Sequence, residues 1–223
     1  MNAPPTALGA DHEHAPLQRL LLAHTPAGER SWHALCWQLD ARLAELIRRR
    51  ADPTIAAIRL AWWDAVLVER DDAKGRGEPL VDAWRQQADT GASVAAERLI
   101  DGWRVLASPD PLSDEDLRDY ALARGGGLFA LLAGGESEAA DRLGALWALW
   151  DLAGHASEEA LARRSLALAS DFLPRDARSP RSLPRPLRLL AAVAMPDVRA
   201  ARLPSRGFTP RQYSRLLIAA LRG

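Results

Sequence analysis

The sequence predicts an all-α fold, and three observations predict it. Apolar residues recur at the three-to-four-residue spacing of amphipathic helices along most of the 223 residues. Gly and Pro clusters cut those stretches at helical lengths, with N-cap residues standing where stretches begin. Strand signals are nearly absent, because β-branched residues are scattered and no stretch alternates apolar with polar for long. With 48% of residues apolar, the chain can bury one sizeable core and reads as a single helical domain over 16–223.

Residues 1–15 mix Pro, Ala, Gly and charge without periodicity and are expected to be a disordered N-terminal segment. Helices are expected near 17–24 and 29–50. "ADPTIAAI" then places Asp52 as N-cap and Pro53 at the first position of a helix near 53–72. Gly75 and Gly77 precede helices near 79–89 and 92–107. Pro109 and Pro111 follow, and "PLSDEDL" offers Ser113 as N-cap, with Asp116 three residues on, for a helix near 114–133. Gly134 and Gly135 lead to helices near 137–154 and 157–172. Pro174, Pro180, Pro184 and Pro186 make 174–186 an irregular Arg/Pro-rich crossing segment, and the last helices fall near 184–194 and 210–221.

The helix near 53–72 carries Trp62 and Trp63 side by side. Ile55, Ile58, Trp62 and Val66 line one stripe, and Leu60, Trp63 and Leu67 a second beside it. Together they leave a narrow polar edge around Arg59, Asp64 and Glu69, which predicts a helix in the middle of a bundle, touching neighbours on two sides.

Acids and bases balance at 29 each, so nothing in the overall charge points to nucleic acid. The distribution is uneven. Beyond Leu173, eleven arginines from Arg175 to Arg222 face only Asp176 and Asp197. That tail either sits on an anionic surface such as a membrane or is a solvated Arg-rich end. Cys36 is the only cysteine, which excludes disulfides within the chain and suggests a reducing compartment. There is no run of roughly 18 apolar residues, and the start lacks the basic and apolar parts of a signal peptide. The expected location is cytoplasmic, or peripheral to the inner face of a membrane.

Four stretches in order resemble the squalene and phytoene synthase family. "IRLAWWDAV" (58–66) is similar to a helix that carries a Trp or Trp pair soon after the family's first aspartate motif. "RLIDGWRVL" (98–106) is similar to its Leu-Ile-Asp/Glu-Gly-Met stretch. "LRDYALARGGGLFALLAG" (117–134) resembles its helix with a Tyr followed by an Ala-Gly kink, and "DRLGALWALWDLAGH" (141–155) sits where its second aspartate helix belongs. The likeness runs from about Ser31 to His155. It implies an isoprenoid-synthase-type helical bundle with a central cavity for two polyprenyl diphosphates. In active relatives, aspartates of two facing helices hold magnesium against the diphosphates, because ionisation leaves several negative charges that divalent cations must stabilise.

This sequence departs from that pattern. Aligned without a gap, the first Asp-Asp-x-x-Asp motif falls on Leu43, Ala44 and Ile47; slipped by one residue, on Ala44, Glu45 and Arg48. Asp40 is the only aspartate nearby. The second motif, Asp-x-x-x-Asp, becomes Asp151 and His155, and imidazole is a poor ligand for magnesium. Asp101 is retained. No metal ligand set is expected, and therefore no cofactor.

The candidate substrate-binding residues are Arg59, Trp62, Asp101, Tyr120, Arg124 and Asp151. Arg59 and Arg124 either reach phosphate from the cavity wall or snorkel to solvent, and Tyr120 either matches a family tyrosine or is a satisfied core residue. "DHEH" (11–14) has metal-like composition in a segment without expected shape. His33 and Cys36 share a helical face but show neither an activated thiolate nor an oxyanion site. Gly125, Gly126 and Gly127 lack the Lys and strand of a phosphate loop, and instead permit a kink or a close helix contact.

The functional expectation is a non-catalytic binding or assembly protein, similar to the family branch that assists NADH dehydrogenase assembly. Its partner would be a protein or a polyprenyl lipid. The alternative is an active isoprenoid transferase that uses Asp101 and Asp151 with magnesium.

Overall fold

Helical periodicity broken by Pro and Gly becomes a chain of helices in a computed structural model, which describes residues 15–48, 52–175, 181–205 and 207–222. They are α1 (Pro16–Ala23), α2 (Arg30–Arg48), α3 (Pro53–Leu67), α4 (Pro79–Gln87), α5 (Ala92–Leu106) and α6 (Asp114–Tyr120). A π-helical turn, Ala121–Gly125, runs directly into α7 (Gly126–Ala133). Then come α8 (Glu138–His155), α9 (Glu159–Ala169) with a 3-10 turn at Ser170–Phe172, α10 (Arg185–Arg199) and α11 (Pro210–Arg222). Among the described residues there is no strand, and no helix is long and apolar enough to cross a membrane. The start up to His14 with its "DHEH" stretch, and 176–180 of the crossing segment, lie outside the described residues.

The expected helix starts form as capping chemistry requires. The Thr54 amide donates to Asp52 Oδ1 at 2.8 Å, and Pro53 follows at the first turn. Ser113 and Asp116 make a reciprocal capping box: the Asp116 amide donates to Ser113 Oγ at 3.1 Å and the Ser113 amide to Asp116 Oδ2 at 2.7 Å. Replacing Ser113 with alanine is expected to cost about 1 kcal/mol, read as a lower urea midpoint with unchanged slope.

Two expectations about elements are corrected. The helix expected near 53–72 stops at Leu67, because the Asp64 carbonyl takes both the Val68 and Glu69 amides and Arg70 turns left-handed at φ 56°. It is also peripheral. Leu60, Trp63, Val66 and Leu67 are buried, but Ile55 and Ile58 are exposed and Trp62 is half-buried. The second predicted stripe and the C-terminal part of the first meet neighbours, α5 with α2 and α4, while the N-terminal part of the first faces out. The helix expected near 184–194 runs on through Pro196 to Arg199, since burial of Met195, Asp197 and Val198 outweighs the hydrogen bond that proline removes.

The middle of the fold belongs to α8. Eleven of its residues from Ala140 to Gly154 are buried, and it meets α6, the π turn, α7, α9 and α10. The π turn crosses α8 at glycines. A Cβ built on Gly125 would lie 2.1 Å from the Gly144 carbonyl oxygen, and one on Gly144 2.2 Å from the Gly125 carbonyl oxygen. On the other side, a Cβ on Gly102 of α5 would lie 2.3 Å from the Arg124 amide nitrogen. The glycines thus permit the close helix contact expected of the triple-glycine stretch, and they clamp the π turn between α5 and α8.

Candidate functional site

The clamped turn carries Arg124 into the centre of the bundle. α2 contributes Asp40, α5 Trp103, α6 Tyr120, and α8 both Trp147 and Asp151. Arg124 Nε donates to Asp40 Oδ1 at 2.9 Å and Nη2 to Asp40 Oδ2 at 2.8 Å, a bidentate pair. Arg124 Nη1 donates to the Tyr120 hydroxyl at 2.5 Å and lies 2.9 Å from Asp151 Oδ2. Trp103 Nε1 donates to Asp40 Oδ1 at 2.9 Å. The guanidinium carbon stands 4.3 Å from the Trp103 ring centre and 4.6 Å from that of Trp147, so indoles flank the cation.

Arg124 and Asp40 are almost wholly buried, at 3% and 5% side-chain exposure, and Asp151 reaches the rim at 23%. Burial works against the Arg124 charge, but Asp40, Tyr120 and Asp151 outweigh it and hold its pKa well above the ordinary value. Burial pushes the Tyr120 hydroxyl up, against the pull of Arg124, so the phenol stays protonated. The cluster is therefore one buried cation facing two carboxylates, closed by a neutral phenol and an indole N–H. Its polar groups are spent on one another.

Magnesium does not fit this donor set. Both Asp40 oxygens already accept N–H groups. One Asp151 oxygen faces Arg124, while the other lies 3.5 Å from His155 Nδ1. A hard dication placed there would meet the guanidinium instead of a cage of free oxygens. His155 itself turns Nδ1 to the Asp151 backbone carbonyl at 2.8 Å, the geometry of a helix-end cap.

Of the six candidate residues, Tyr120, Arg124 and Asp151 come together. Arg59 and Trp62 do not join them. They line a separate cleft of about 340 Å³ with Arg42, Glu45, Leu46, Trp63 and Glu78, where Arg59 is exposed and Trp62 stands edge-on to Trp63 at 5.0 Å. Asp101 is half-exposed on α5 and pairs with Arg104, which also reaches Asp64 of α3. The site residues not foreseen are Trp103 and Trp147, together with the role of Asp40 as partner to Arg124. Both tryptophans stand inside stretches already singled out, "RLIDGWRVL" and "DRLGALWALWDLAGH".

His33 and Cys36 lie apart and buried. Burial lowers the His33 pKa, against the opposing pull of Glu29 3.9 Å away, and burial pushes the Cys36 thiol far up. Such a thiol is inert. In the native protein Cys36 is expected to react with an aromatic disulfide reagent roughly a hundredfold or more slower than in the denatured chain, because modification requires local opening. Native and denatured rates within a few-fold of each other would contradict its burial.

No family model, no curated protein and no solved structure matches the chain. The fold and site define a helical protein with a buried arginine–aspartate cluster at its centre.

Proposed function

We propose that the chain is a divergent member of the squalene and phytoene synthase family, with an isoprenoid-synthase-type bundle whose diphosphate site has become an internal ion cluster. In this reading it works as a non-catalytic binding or assembly protein, cytoplasmic or peripheral to a membrane, with a protein or polyprenyl lipid as partner. One observation carries the reading. Arg124 lies between an acid of α2 and an acid of α8, the two helices to which the resemblance assigns the aspartate motifs. In this reading the guanidinium takes the place that metal ions would have between those helices, beside two carboxylates. Removing it would leave Asp40 as an uncompensated charge in the core.

The test is incubation with farnesyl and geranylgeranyl diphosphate, magnesium and NADPH, at protein levels near those of substrate. Neither an organic-extractable product nor diphosphate release is expected by mass spectrometry. Product formation overturns the non-catalytic reading and returns attention to Asp101 and Asp151 as metal ligands.

A further inference from the structure

We infer that the outer face of α11 docks onto an anionic lipid surface. α11 is latched to the body along one side only. Gln212 and Leu216 are buried, and Arg215 donates to Asp197 of α10 at 2.8 Å and to the Val193 carbonyl at 3.2 Å. The opposite side presents Tyr213, Leu217 and Leu221 at successive helical turns, with Ile218 beside them; their exposures are 49%, 46%, 80% and 48%. Ser214 shares this side but turns its hydroxyl back to the Pro210 carbonyl at 2.9 Å. The face therefore carries neither acid nor base among its described side chains, and of its two hydroxyls that of Ser214 is internally bonded, which leaves the Tyr213 phenol.

Charge selects the occupant. From Arg181 onward nine arginines stand against one acid, Asp197, and that acid is buried and taken by Arg202 and Arg215. Arg211 is exposed on α11 itself. Arg185 donates to the Ala220 carbonyl at 2.6 Å, which holds its cation at the last turn, next to Leu221. An apolar stripe edged by arginines is the pattern of a helix lying in a headgroup layer, with side chains in the acyl boundary and cations among the phosphates. A second copy of the chain would set two arginine-rich ends against each other. A protein interface of this size would ask for several hydrogen bonds to fix its register, and this face offers only the Tyr213 hydroxyl, whereas a lipid surface needs none.

The full chain would be floated with vesicles of phosphatidylcholine alone, and of phosphatidylcholine with about a third phosphatidylserine. Binding is expected to the anionic vesicles, weakening at least about tenfold as salt rises from about 0.05 to 0.5 M. Leu217→Glu with Leu221→Glu is expected to lose binding at least about tenfold with an unchanged melting temperature, since both side chains face out. Leu221→Ser alone, at the most exposed position, covers the case in which the double variant loosens α11. The inference is overturned if the wild type ignores anionic vesicles or binds neutral ones equally, or if both variants bind as the wild type does. It is overturned equally if light scattering shows a dimer that the variants dissolve, which would assign the face to a second copy.

Discussion

Arg124→Met is expected to destabilise the fold by about 3–5 kcal/mol at neutral pH, the cost of stranding a buried charge, against a total stability of about 5–15 kcal/mol for a domain. The loss comes from Asp40 more than from the missing arginine contacts. Without the guanidinium, Asp40 keeps only the Trp103 N–H at 2.9 Å in a site where its side chain is 5% exposed. Asp40→Asn combined with Arg124→Met keeps an oxygen for Trp103 but removes the stranded charge, and should recover half or more of the loss. Denaturant titration of the three proteins decides it. A single variant costing under about 1 kcal/mol, or a double no better than the single, would mean that the ion pair is not what holds this centre together.

Gly144→Ala is expected to be as damaging, through sterics alone. The added methyl would sit 2.2 Å from the Gly125 carbonyl oxygen, and neither backbone can yield without parting α8 from the π turn. Overpacking usually costs about 1–3 kcal/mol; here backbone meets backbone, and about 3 kcal/mol or more is expected. Gly134→Ala makes a control of the opposite kind, since nothing lies within 4 Å of its Cβ position and only its φ of 74° is strained, a cost of about 1–2 kcal/mol. Equal thermal shifts for the two variants would remove the close crossing as an explanation.

Much of the fold was legible because helix ends follow local chemistry. Asp52 and Ser113 cap as their side chains dictate, and the described helices begin close to where the sequence places them, although α3 ends early and α10 runs on. The centre was harder to read. α3 is apolar on nearly every side yet peripheral, because apolar surface says only that a helix can be covered. α8 carried the better signal, with no charge between Arg142 and Asp151 and glycines at 144 and 154 that let neighbours approach. At the site, Tyr120 and Asp151 were singled out through the family resemblance and Arg124 as a cation that could reach phosphate, and Asp40 stood out as the lone aspartate on its stretch. Their union was not visible. Arg124 and Asp40 lie 84 residues apart, and a pair formed by tertiary folding leaves no periodicity in either segment. The resemblance directed attention to acids that could hold metal, whereas the structure joins those acids through an arginine.

The cation between two indoles has an optical consequence. Trp103 and Trp147 have their ring centres 4.3 and 4.6 Å from the guanidinium carbon, and a fixed charge at that range shifts the excited-state energy of an indole. Of the other six tryptophans, Trp37, Trp63, Trp84 and Trp150 are buried and only Trp32 and Trp62 are half-buried, so most of the background against which that shift is read is dry. The ionic centre thus carries its own emission signature, and the intrinsic fluorescence of the unlabelled chain follows whether Arg124 is in place.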